Sequence, residues 1–511
     1  MNGSQNTSSS QRVAVIGAGV GGLVAALELA QKGLRVTLLE RADSPGGKMR
    51  RRQVQGRALD VGPTVLTMRW VFEEIFRDAG EDLREHITLT PLEILGRHGW
   101  QDQSRLDLYA DLERSAAAIA DFASPKEVDG FRRFHRYAES IYRYSELPFI
   151  RSQKPTLGGL LGLLGVQGMA RLHKIDSMRT MHKALRGFFK DPRLLQLFAR
   201  YATYYGSSPY LCPATLNLIA FVEQQGVWVA EGGMHALALT LAKLCEKRGV
   251  DIRAGSHVEE ITTEGERISG VRLQGGAFIP AEVVVHNGDI NALSSGLLGE
   301  EAARGLGNHH HLPRSLSALT LAAVGRPRGF PLQFHNVFFS GDYPAEFDDI
   351  VNKERLPQSP TVYICAQDRA PGMAAPEGAE RLFFIINAPA IGDAHEFSDA
   401  EKERCIDGAL AVLRGCGLEI AFEAVEATSP TEFARAFPAT GGAIYGPATH
   451  TWNAPLSRAG SRGKLRGLYI AGGSAHPGAG VPMAALGGRM AAESVIHDLG
   501  LGELPKLVGT V

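Results

Sequence analysis

A chain of 511 residues is long enough for two large domains or three smaller ones, and 44% hydrophobic with 21% charged residues suits an ordinary globular core. The 54 Lys and Arg nearly cancel the 55 Asp and Glu, and a net charge of -1 excludes a global field that would gather nucleic acid. Cys212, Cys245, Cys365, Cys405 and Cys416 form no C-x-x-C pair, which excludes a disulfide framework and a cysteine zinc site and points to a reduced, cytoplasmic-side location.

Residues 1–11 are polar, lack the pattern of a signal peptide and read as a disordered tail. Arg12–Ile16 then reads as a strand, Val20–Gln31 as a helix stopped at Gly33, and Leu34–Glu40 as a second strand. Between the first two elements stands Gly17-Ala18-Gly19-Val20-Gly21-Gly22, a G-x-G-x-x-G turn. Gly17 permits the tight turn, Gly19 lets backbone approach a pyrophosphate, and Gly22 lets helix and strand pack closely. Free N–H groups at the helix start then face the phosphates. Glu40 follows Gly22 by 18 residues, where an acid accepts hydrogen bonds from ribose hydroxyls. The unit predicts dinucleotide binding; by itself it leaves NAD open and argues mainly against NADP.

The next segment carries Gly46-Gly47-Lys48, followed by Arg50, Arg51 and Arg52. Glycines give close approach and Lys48 supplies charge to a phosphate. The same basic run can be read as a nucleic-acid patch, but its place directly after the nucleotide unit disfavours that. Leu157 to Ala170 is apolar and glycine-rich, flanked by Arg151, Lys154, Arg171 and Lys174. It is too short to span a bilayer and is read either as an interfacial patch or as buried core. Tyr201, Tyr204, Tyr205 and Tyr210 suit a channel for a long apolar ligand and equally plain packing.

Gly232-Gly233-Met234 opens a helix running through Lys247. Val250–Ile261, Ile268–Leu273 and Val283–Val285 read as strands, the last leading into Asn287. His309-His310-His311 has no partners at ligand spacing and reads as an exposed loop, so no metal site is predicted. Ser315 to Tyr445 is rich in strand-like runs, among them Leu382–Asn387. A last strand, Leu468–Ala471, enters a small-residue loop and a helix with Pro482 in its first turn. That helix N-terminus would favour negative charge on a bound group. His476, in the loop, reads either as a base or as a loop-shaping residue, and no residue is singled out as catalytic.

The predicted fold is α/β: a Rossmann-type domain gathering 12–90, 225–290 and 460–500, interleaved with an α+β domain from 91–224 and 291–459.

The fingerprint, the Gly-Gly-Lys segment, Asp60-Val61-Gly62-Pro63-Thr64-Val65, Glu231-Gly232-Gly233-Met234 and the stretch His476–Met483, in this order, resemble the bacterial carotenoid desaturases of the phytoene desaturase type, within the flavin amine oxidase superfamily. The resemblance covers essentially the whole chain. It implies FAD as cofactor, and FAD contacts at Gly17, Gly19, Gly22, Glu40, Gly47, Lys48, Thr64, Val65, Val258 (through its backbone), Asn287, Gly473, Gly480 and Val481. Three stretches, Val65–Phe72, Arg200–Thr215 and His335–Ile350, are similar to the hydroxyneurosporene and methoxyneurosporene branch. That branch introduces the 3,4 double bond into carotenoids oxygenated at C-1, in carotenoid biosynthesis. Asp342 and Asp349 read as solvated loop charges. The implied partners are a hydrophobic carotenoid, the inner face of a membrane bound peripherally, and an acceptor such as oxygen or a quinone. Phytoene desaturase, carotenoid isomerase, flavin amine oxidase and a prenyl-binding escort are the competing readings.

Overall fold

The computed structural model describes residues 11–156, 158, 161, 172–306, 312–373 and 376–505. The strand Arg12–Ile16 lies inside a parallel sheet ordered Leu468–Ile470, Val283–His286, Arg12–Ile16, Arg35–Leu39, Asp251–Arg253. Val13, Ala14 and Val15 are all buried, as a strand covered on both faces requires. On one side pack the helices Val20–Gln31, Met234–Lys247 and Val481–Asp498. Buried Arg489 ties the last helix to the first through Glu28 at 2.9 Å, and to Asp78 at 2.6 Å.

Val250–Ile261 is not one strand. It breaks into Asp251–Arg253 in the parallel sheet and Val258–Glu264 in a three-stranded antiparallel sheet. Gly255, at φ +65°, turns the chain. The turn is fixed by backbone bonds from Gly255 to the Ala42 carbonyl and from Ser256 to the Glu40 carbonyl. Local β-propensity reads straight through such a break.

A seven-stranded sheet forms the second layer, in the order Leu418–Thr428, Ser317–Gly329, Glu380–Ala388, Val362–Ala366, His335–Phe338, Ile94–Gly99, Arg105–Tyr109. One face, with Phe338, Ile364 and Phe384, is buried under the helix Asp399–Gly415. Against the other face packs the hairpin Arg51–Val54 and Arg57–Asp60, through Val54 and Leu59 on Ala322, Val324 and Phe383. The segment 12–90 therefore contributes to both layers.

Among the described residues no helix is long and apolar enough to cross a membrane, and no cluster of three metal-ligating side chains occurs. His309-His310-His311 and nearly all of the apolar patch, Gly158 and Leu161 apart, lie outside the described residues, as does the tail but for Gln11.

Candidate functional site

The two glycine turns, more than 450 residues apart in sequence, meet on a single side chain. Asn287 stands where the strand Val283–His286 ends, and its Nδ2 donates to the Gly17 carbonyl at 2.9 Å. A Cβ added to Gly21 would lie 2.6 Å from Asn287 Oδ1, and one added to Gly472 would lie 2.8 Å from the same atom. A Cβ on Gly22 would sit 2.0 Å from the Gly17 carbonyl oxygen, and one on Gly488 would sit 2.1 Å from the Gly21 carbonyl oxygen. The contacts of Gly22 and Gly488 are with backbone, which cannot swing aside, so only glycine fits there.

Glu40 is buried and closes the turn from below. One carboxylate oxygen accepts the Ala18 N–H at 2.7 Å and the other the Ala42 N–H at 2.9 Å. A carboxylate offers about four acceptor positions, so capacity remains for sugar hydroxyls. Val258 follows the Gly255 turn that closes on the Glu40 backbone. Gly47 lies against the first turn, where its added Cβ would be 3.0 Å from Gly19 Cα. Lys48 donates to the Ile444 carbonyl at 2.8 Å and sits 5.3 Å from the centre of the Phe437 ring. Burial lowers its pKa, Asp289 opposes that, and Arg50 adds to it. No carboxylate among the described residues pairs with this ammonium. A half-buried cation in no direct ion pair, beside a cradle of bare backbone, fits a pyrophosphate.

Gly473 accepts a bond from Arg458 at 3.0 Å through its carbonyl, and Gly480, at φ +112°, caps the final helix that Val481 begins. Thr64 accepts from Tyr363 at 2.7 Å, and Val65 packs against Leu92, Leu95 and Val227.

Other candidate residues resolve differently. His476 is buried and hydrogen-bonds to the Ser152 carbonyl at 2.8 Å through Nε2, and burial pushes its pKa down to about 4. It shapes the loop. The basic run is divided: Arg51 pairs with Asp60 at 2.9 Å, Arg52 reaches Glu426 at 3.6 Å, and Arg50 rests on Phe433 and Phe437. Arg151, expected at the edge of the apolar patch, is buried instead, bonded to Glu146 at 3.0 Å and stacked 3.6 Å from the Trp70 ring centre. It has no charge to spare for lipid headgroups. Asp342 is exposed, as expected of a solvated charge, and caps the helix Tyr343–Val351, whereas Asp349 is buried beneath Lys353 and Arg355 and is not a solvated loop charge.

The four tyrosines divide as well. Tyr201 and Tyr204 both donate to buried Glu223, Tyr204 at 2.6 Å. Tyr205 donates to the Pro477 carbonyl at 3.1 Å in the C-terminal loop, and Tyr210 packs on Phe347. Residues missed by sequence reading are Arg200, His98 and Tyr363. The only signal for them was that Arg200 begins one of the branch-like stretches.

The sequence profile of the family described as "Flavin containing amine oxidoreductase" matches residues 20–496. A "Hydroxyneurosporene desaturase" of Rubrivivax gelatinosus is 50% identical over 491 residues, covering 96% of this chain and 94% of that protein. Another "Hydroxyneurosporene desaturase", from Cereibacter sphaeroides, is 43% identical over 493 residues, covering 96% of this chain and 98% of that one. Among solved structures, an oxidoreductase from Methanosarcina mazei is similar in fold, with a TM-score of 0.60 at 15% identity, covering 95% of this chain and 100% of that one.

Proposed function

Because the chain belongs to the flavin-containing amine oxidoreductase family, and within it to the carotenoid desaturases, we propose that it is an FAD-dependent desaturase forming the 3,4 double bond of a carotenoid oxygenated at C-1. The observation that carries this reading is the 50% identity to a hydroxyneurosporene desaturase along 96% of the chain. The junction of both glycine turns on Asn287 supports one flavin site built from the two chain ends.

Desaturation removes two hydrogens from adjacent carbons, one with its bonding electron pair and one as a proton. FAD, when bound, supplies the acceptor for the electron pair. Gly17, Gly19, Gly22 and Gly47 leave room for its pyrophosphate and Lys48 offsets the charge, while Glu40 and the Val258 backbone serve the adenosine side. Asn287 and Gly473 hold the second turn in place, Thr64 and Val65 line the opposite wall, and the N-terminus of the last helix, at Gly480 and Val481, favours negative charge near it. The carbon skeleton that loses the electron pair is an allylic, delocalised cation, whose neighbouring proton leaves without a dedicated strong base. Oxygen or a quinone takes the two electrons onward.

The substrate is apolar, so access from the inner face of a membrane is part of the proposal. Exposed Leu147, Leu161 and Met178, near the apolar patch and beside exposed Lys174, support peripheral binding there. Expression in cells accumulating neurosporene, 1-hydroxyneurosporene or phytoene tests the reading. The expected outcome is a 1-hydroxyneurosporene product lighter by two hydrogens; conversion of phytoene alone overturns the branch, and unchanged mass with altered geometry would mean an isomerase.

A further inference from the structure

The hairpin-bearing face of the seven-stranded sheet carries polar groups that the fold does not use. Strand register sets His98, Val337, Tyr363 and Ile385 in one row, with His335 and Cys365 a step along on the same face. His335 Nδ1 lies 2.6 Å from the Tyr363 hydroxyl, which donates onward to Thr64 at 2.7 Å. The tyrosine has one proton and gives it to Thr64, so His335 Nδ1–H is the donor to Tyr363 and Nε2 is left as an acceptor. His335 is 4% exposed, and Nε2 has no partner among the described residues.

Arg200 is the buried cation whose charge acts on both His98 and His335. It is 7% exposed, donates to Tyr204 at 3.3 Å, and lies 5.4 and 4.9 Å from the Tyr201 and Tyr204 ring centres. Its Nε is unpartnered, and the nearest carboxylate it feels, Glu223, is reached only through Tyr204. Burial first, then the Arg200 charge, push His98 and His335 down to about 3 and keep both imidazoles neutral. Buried donors and acceptors without partners are costly, and they gather where a ligand completes them.

We propose that His335, oriented by Tyr363 and Thr64, and Arg200 bind the oxygen substituent at C-1 of the polyene, and so determine specificity. This rests on the desaturase reading above. In such a substrate the oxygen lies three bonds from the nearer, and four from the farther, of the two carbons that lose hydrogen. Its binding groups must therefore adjoin the cofactor, and Thr64 is where this cluster meets the candidate cofactor site. A hydroxyl donates to Nε2 and accepts from the guanidinium, whereas a methyl ether only accepts.

The test compares a polyene bearing the C-1 hydroxyl with the same polyene lacking the oxygen, both in detergent micelles. Dissociation constants are measured on the dithionite-reduced holoenzyme, and kcat/KM on the oxidised holoenzyme. The wild type should prefer the hydroxylated polyene by roughly 10- to 100-fold, and His335→Leu should bring that ratio to within about threefold of unity. His335→Gln, which keeps an acceptor, should recover part of the preference, and Arg200→Met should lower it. If His335→Leu loses its flavin spectrum, the Gln and Met variants decide. A wild type without preference, or variants that retain it, would overturn the inference while leaving the desaturase reading intact. A wild type that converts neither polyene defeats that reading and this inference together.

Discussion

Around Gly22 and Gly488 backbone is packed so closely that an added Cβ would fall 2.0 and 2.1 Å from carbonyl oxygens, whereas around His335 and Arg200 bulky polar side chains are buried with atoms that no described neighbour uses. The first region is specified by side chains that are missing, and the second by side chains delivered from separate strands and helices. A cofactor common to many enzymes needs close backbone approach, which glycine provides regardless of substrate. A particular substrate needs particular donors and acceptors, and those are the groups left unpaired.

That difference orders the expected responses to mutation. The largest belongs to Gly22→Ala. Its methyl meets the Gly17 carbonyl, and a cost of about 3 kcal/mol or more should leave the purified protein without flavin absorbance. Gly378→Ala, which meets nothing within 4 Å, should bind flavin normally. Equal flavin content in the two variants would erase the contrast drawn between regions.

Asn287→Ala comes next. It removes the bond to Gly17 and the prop between the turns, and should weaken FAD by about 10- to 100-fold in a titration of apoprotein, equivalent to about 1–3 kcal/mol. Asn287→Asp should be no better, because a carboxylate oxygen would then face the Gly17 carbonyl.

On the substrate side, burial pushes the Glu346 carboxyl up to about 7 from its ordinary 4.5, despite bonds from Thr361 and Ser340. A raised folded value means that the stability is fully present below pH 4.5 and is lost as pH rises toward 7. Glu346→Gln should escape the loss. The variant's melting temperature should gain on the wild type across that window, corresponding to roughly 2–3 kcal/mol. Parallel curves would show that Glu346 is not the buried acid described.

The smallest effect is expected of Glu40→Gln. The amide keeps one acceptor for Ala18 or Ala42 and loses the other, at a cost of about 1 kcal/mol, so FAD should bind about fivefold more weakly. A loss as large as that of Gly22→Ala would mean that the carboxylate, and not the bare backbone, dominates the cofactor region.

The cofactor region was largely legible in the sequence because its signals are local. The glycines from Gly17 to Gly22 span the junction of a strand and a helix whose limits, Arg12–Ile16 and Val20–Gln31, the structure reproduces. Pro482 likewise opens the last helix as its sequence position predicts. What escaped was set by partners distant in sequence. Arg151 is drawn inward by Glu74 and Trp70, and Asp349 is covered by Lys353 and Arg355 after the helix ends. His335 and Tyr363, 28 residues apart, become one unit only when their strands pair in register. No periodicity marks such a pair.

The account rests on one flavin, held between the two chain ends, that takes electrons from an oxygenated polyene. Anaerobic mixing of the purified yellow protein with 1-hydroxyneurosporene, followed by absorbance, tests that most directly. Bleaching of the flavin band together with a polyene poorer by two hydrogens is the predicted result. A flavin band that stays unchanged while the polyene is bound would contradict it.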